Sequence, residues 1–120
     1  MTRLWITAGA FFGLTGVAMA ALLAHAFPNL DAGARQLVHT ALEIQVWHAL
    51  VLLFTGLWAS RGGLAVDLAG TAFTVGVVLF CGAVDALALF GIHLPMLAPI
   101  GGSLLMLGWL LLGISALTHR

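Results

Sequence analysis

Five residues carry the polar chemistry of an otherwise apolar chain: His25, Glu43, Gln45, His48 and Asp85, with Cys81 close to the last of them. Imidazole, thiolate and carboxylate are ligands for copper or zinc, so His25, His48, Cys81 and Asp85 form a possible metal set. No C-x-x-C or H-x-x-x-H spacing accompanies them. The same carboxylate and imidazoles suit a proton relay in a small proton-coupled transporter. Paired histidines on different helices suit a haem, or the headgroup of a quinone. The plainer reading is that these groups hydrogen-bond one another and fix how helices pack, each contact worth about 0.6–2 kcal/mol in a membrane.

Helical spacing decides which groups can act together. At 3.6 residues per turn, Gln45 and His48 share one face, whereas His39 and Glu43 share a different one. Cys81 and Asp85, four apart, present one face to a single neighbour. With His25 ending the first apolar run at the same level, the expected site is a small polar pocket of His25, Gln45, His48, Cys81 and Asp85, with Glu43 at its rim. The imidazoles of His25 and His48 and the Asp85 carboxyl then meet from three different spans.

The elements that must position these groups are membrane spans. Of 120 residues, 62% are hydrophobic and only 7% charged, against roughly 25% charged in a soluble domain. So short a soluble chain could not bury this much apolar surface in its own core. Lipid covers the remainder. The formal net charge is zero and all four basic residues are arginines, so no basic patch tracks a nucleic acid. A lone cysteine excludes an internal disulfide.

Four spans are predicted. Leu4 to Phe27 is long enough to cross hydrocarbon, and Gly9, Gly13, Gly16 and Ala20 form a small-residue stripe along it. Arg3 and Ala18-Met19-Ala20 resemble a signal peptide, but the apolar run is longer than such a segment needs. Pro28 to Asp31 is turn chemistry, with Asp31 placed to cap a helix beginning near Ala32. Residues Leu30 to Thr40 mix apolar and polar side chains and are read as an interfacial helical start to the second span. That span, Ala41 to Ala59, ends at Arg61-Gly62-Gly63, a short turn that makes the second and third spans antiparallel neighbours. The third runs from about Leu64 or Leu68 to Phe90 and is closed by Gly91. Pro99 suits the first helical residue of the fourth, which ends near Leu117.

The fold expected is therefore an all-α, integral membrane four-helix bundle, residues 1–120 as a single domain. Arg3, Arg61 and Arg120 fall on one side and Arg35 on the other, which by the positive-inside rule puts both termini in the cytoplasm. The polar groups then lie in the outer leaflet. For His39, His93 and His119 an interfacial position is explanation enough.

Ala24-His25-Ala26, Gln45-Val46-Trp47-His48-Ala49-Leu50, Phe80-Cys81-Gly82, Ala98-Pro99-Ile100-Gly101-Gly102 and Gly108-Trp109 together make the chain resemble the YgdD-like family. These are small four-span bacterial inner-membrane proteins of unknown function, with eukaryotic transmembrane relatives. The resemblance covers nearly the whole length. Family members show a Gly-Ala-Phe-Gly-like approach to the first histidine, where this chain has Ala21, Leu22 and Leu23. They carry an aromatic residue before the glutamine, where this chain has Ile44, and serine and tyrosine where it has Cys81 and Asp85. The resemblance implies location in the bacterial inner membrane and brings no activity with it.

No nucleophile has an evident base beside it and no soluble region is present to hold a polar substrate, so the expectation is that the protein is not an enzyme. The role expected is that of a structural or accessory subunit, or a small homo-oligomer. Its partners would be the bilayer, other membrane subunits or itself. The alternative is a metal- or cofactor-binding protein or a proton-coupled transporter working through His25, His48 and Asp85.

Overall fold

A computed structural model describes residues 1–118, and the expectations for His119 and Arg120 lie outside them. Among the described residues there are three helices: α1 (Thr2–His25), α2 (Ala32–Phe90) and α3 (Leu97–Thr118). Each is long and apolar enough to cross a membrane. The all-α expectation holds, but the four-helix bundle is corrected to three helices.

The correction falls at Arg61-Gly62-Gly63. No loop separates the expected second and third spans; helix runs on both sides of a single non-helical residue, Gly63, at φ 62° and ψ −150°. That conformation is open essentially to glycine alone. A straight helix of 59 residues would be about 88 Å long. The longest dimension of the molecule is 52 Å, so α2 must fold back at Gly63. Its two arms, 32–62 and 64–90, lie side by side, tied where the Cys81 thiol donates to the carbonyl of Ala41 at 3.2 Å.

The other boundaries have local causes. The Asp31 carboxylate accepts from the Ala34 N–H at 2.7 Å, the cap expected from the sequence. From there α2 runs without interruption through the stretch read as interfacial, and Val38 is completely buried. Gly91 ends α2 in the left-handed conformation, φ 67°. The start of α3 at Leu97 precedes Pro99 by two residues, which still leaves the proline in the first turn, where its missing N–H is no loss. At the end of α1, Arg35 reaches across from α2 and donates to the carbonyls of Leu23 and Phe27 at 2.8 and 2.6 Å. A cation thereby satisfies oxygens that the helix end leaves free.

Contacts between helices fix which ends lie together. Trp5, near the start of α1, covers Gly70 and donates its indole N–H to Asp67 at 2.9 Å. Trp58, one turn before the corner, donates to Ser115 near the end of α3 at 3.1 Å. The start of α1, the corner at Gly63 and the end of α3 therefore occupy one end of the molecule. The connections after His25 and Phe90 occupy the other.

The core is thin. Phe73, Leu52 and Val77 are its centre, with Trp5, Phe12 and Leu105 against them. Helices meet there through glycine. A Cβ on Gly101 would lie 2.5 Å from the backbone nitrogen of Phe80, and one on Gly76 would lie 2.9 Å from the carbonyl oxygen of Gly101. The backbones of α2 and α3 are thus in direct contact, as small residues permit in membrane helices. The stripe expected on α1 is used in part: Gly9 and Gly16 press on α2, whereas Gly13 meets nothing within 4 Å. Leu14, Leu57, Leu64 and Phe90 are more than two-thirds exposed, apolar surface that a bilayer covers.

Candidate functional site

Gln45 and His48 both face inward from the first arm of α2, as their spacing requires, but each has its own partners. Gln45, 8% exposed, donates to the Phe12 carbonyl at 3.0 Å and to the Thr15 hydroxyl at 2.8 Å. Thr15 in turn donates back to the Phe11 carbonyl at 3.0 Å. This is a tie between α1 and α2, with the amide donors of the glutamine fully used.

His48, 4% exposed, is held on both ring nitrogens. Nδ1 lies 2.6 Å from the Ile44 carbonyl, which can only accept, so that nitrogen carries the proton. Nε2 is then the acceptor for the Trp109 indole N–H at 3.0 Å. The ring packs with Phe73 and Trp109, with all three centroid separations between 5.5 and 5.9 Å. Gly108 lets Phe73 into this cluster, since a Cβ there would sit 2.7 Å from the phenyl ring. Neither nitrogen is free for a metal or a migrating proton. Changing His48 to Leu leaves the Trp109 N–H without an acceptor in an apolar setting. The expected cost is about 1–2 kcal/mol, read by denaturant unfolding in detergent; a variant as stable as the parent would deny the bond any structural weight.

Asp85 stands apart. It comes from the second arm of α2 and lines a crevice of about 290 Å³ with Cys81, Gln45, Thr15, Phe12 and Met19. Its Oδ1 is buried and has no hydrogen-bond partner among the described residues. Of the expected pocket residues, the structure brings Gln45, Cys81 and Asp85 to this crevice. It leaves out the others. His25 is exposed at the last turn of α1, Glu43 is exposed and lines a different groove, and His48 belongs to the aromatic cluster. His39 and His93 are exposed. Among the described residues no three His, Cys, Asp or Glu side chains come close enough to hold a metal ion together.

Two partners escaped the sequence reading. Thr15 had a signal, a hydroxyl in an apolar run, but nothing in one dimension links it to Gln45. Trp109 lies 61 positions from His48, and a tryptophan is more readily assigned to the membrane interface than to a buried bond.

A family model described as a protein of unknown function, DUF423, matches residues 19–102, well over half the chain. The chain belongs to this family. A UPF0382 membrane protein of Haemophilus influenzae is 32% identical over 122 residues, covering 100% of this chain and 98% of the relative. Another of that designation, SH2409 of Staphylococcus haemolyticus, is 34% identical with 94% of each chain covered. YwdK of Bacillus subtilis is 27% identical with 98% of each covered. These relatives are named as membrane proteins and come from bacteria, in agreement with three apolar helices of spanning length. The family thus stands as DUF423, with UPF0382 membrane proteins as its relatives, and the narrower YgdD-like designation is not among these matches. No solved structure matches the chain.

Proposed function

We propose that the protein is a non-enzymatic accessory component of the bacterial inner membrane, whose working feature is the Asp85 crevice between α1 and the second arm of α2. The observation that carries this reading is the buried, unpartnered Oδ1 of Asp85. A buried carboxyl oxygen without a donor costs free energy that the bonded Gln45 amide N–H groups and the His48 ring nitrogens do not. An intramembrane ionisable residue kept in that condition suits a group whose partner arrives from outside the chain.

The crevice has apolar walls from Phe12, Met19 and Val77 beside the carboxyl, the Gln45 amide and the Thr15 hydroxyl. It fits an amphipathic membrane-dissolved molecule that donates a hydrogen bond, with its apolar part along the α1 side. A relay or metal site through His25, His48 and Asp85 has less in its favour, because His48 is closed on both nitrogens. Arg3 and Arg61 lie at the corner end and Arg35 at the other. By the positive-inside rule this arrangement favours cytoplasmic termini and, with them, a crevice toward the outer leaflet.

Native mass spectrometry of the protein released from its own membranes tests this. The wild-type chain is expected to carry a small-molecule or lipid adduct that Asp85→Leu loses, and Asp85→Leu should unfold at higher denaturant concentration because an unsatisfied group has gone. An adduct-free wild type, or one whose adduct survives in Asp85→Leu, would remove the crevice from consideration.

A further inference from the structure

Glu43 is the one carboxylate in the spanning part of the first arm of α2, and it is exposed on the side of α1 opposite the Asp85 crevice. It lines a groove of about 310 Å³ whose other walls are apolar: Gly16, Val17 and Ala20 from α1, with Leu42, Val46 and Trp47 from α2. None of the hydrogen bonds joining α1 to α2 uses it; those are made by Trp5, Arg35 and Gln45. A second groove of about 230 Å³ continues the first, sharing Ala20 and Leu42, and is lined by the exposed His39 one turn toward the start of α2. One lipid-facing furrow thus carries a small-residue floor, an acceptor and, about 6 Å further along the axis, a donor.

We propose that this furrow is the contact surface of a homodimer, with the two-fold axis along the membrane normal. The first arm of α2 in each copy seats along the furrow of the other, and Glu43 of each copy accepts a hydrogen bond from the partner's His39. A second copy fits because the surface is self-complementary. In a parallel two-fold contact residue 43 meets its own counterpart at one level, and the imidazole four positions earlier lies one turn above it, within reach of a glutamate side chain. Ala20, small and exposed beside the furrow, leaves room for the partner helix, while the bond from the partner's His39 answers a carboxylate that would be costly alone in hydrocarbon. This inference stands independently of the crevice reading.

Single-molecule photobleaching of the full chain in lipid vesicles, over a range of protein-to-lipid ratios, tests it. The wild type is expected to be dimeric. Glu43→Leu and His39→Leu should each lower the dimerisation constant by about tenfold or more. The exchange variant carrying both His39→Glu and Glu43→His should recover it, because the two-fold contact reads the pair in either order. In a Cys81→Ser background, Trp47→Cys, one turn beyond Glu43 on the exposed face of α2, should cross-link oxidatively with its own counterpart, and Leu107→Cys, on the exposed face of α3, should not. A chain that stays monomeric at every ratio would overturn the proposal. So would a dimer indifferent to both single variants, or one in which Leu107→Cys cross-links and Trp47→Cys does not. The exchange variant separates a lost contact from a lost fold, since misfolding by either single change would not be repaired by combining them.

Discussion

Replacing Gly101 with leucine should cost the protein about 3 kcal/mol or more, enough to prevent recovery of a monodisperse folded species from detergent. The reason is what the new side chain meets. Its first carbon alone would lie 2.5 Å from the Phe80 nitrogen and 2.9 Å from the Gly76 carbonyl oxygen, both main-chain atoms. A side chain can rotate away, but a helix backbone packed on two sides can move only as a unit. Gly101→Ala should already cost about 1–3 kcal/mol. Gly13→Ala and Gly113→Ala, where nothing lies within 4 Å of the added carbon, should be neutral or slightly stabilising through helix propensity. Unfolding in mixed micelles read by circular dichroism gives all four values. Equal stability of Gly101→Ala and Gly13→Ala would mean that α2 and α3 do not touch at this point.

Gly63→Ala should cost about 1–3 kcal/mol, and Gly63→Val more, for a different reason. The strain lies in the backbone itself, because φ 62° with ψ −150° forces a Cβ against its own peptide groups. The fold-back of α2 depends on that single residue. The expected outcome is lower stability together with a longer distance between the two arms, measured by electron spin resonance between labels on exposed residues of each, such as Leu50 and Val78. A stable Gly63→Val variant with the parent spacing would show that the corner tolerates ordinary backbone geometry.

The turn at Gly63 also marks the limit of what could be read in one dimension. Arg61-Gly62-Gly63 was legible as a reversal, and the antiparallel neighbours expected on either side of it are the two arms. What could not be read was that one residue suffices, so that the expected second and third spans are a single folded element and the count of helices falls from four to three. Composition governs how many residues must lie in lipid; it is silent on whether a loop or one dihedral pair reverses the chain. Asp31 as a cap and Gly91 as a stop were readable, because capping is local chemistry.

The site was legible in part, for the same reason. Periodicity correctly set Gln45 and His48 on one inward face, and Cys81 with Asp85 on another. It could not show that Gln45 is answered by Thr15 and His48 by Trp109, since those pairings depend on how helices are rotated against each other. Equal depth suggested that His25, His48 and Asp85 meet. Rotation separates them: the first is exposed, the second closed by Trp109, and the third opens to a crevice beside Gln45.

A reversal made by one residue leaves no loop projecting between the two arms it joins. The two interhelical connections among the described residues, 26–31 and 91–96, both emerge at the opposite end, and with them Asn29, His93 and the main-chain groups that no helix consumes. A water-soluble visitor, whether a protease, an antibody or a docking protein, therefore finds two loops to grip on one side of the bilayer, and at the Gly63 corner a bend too tight to offer a third.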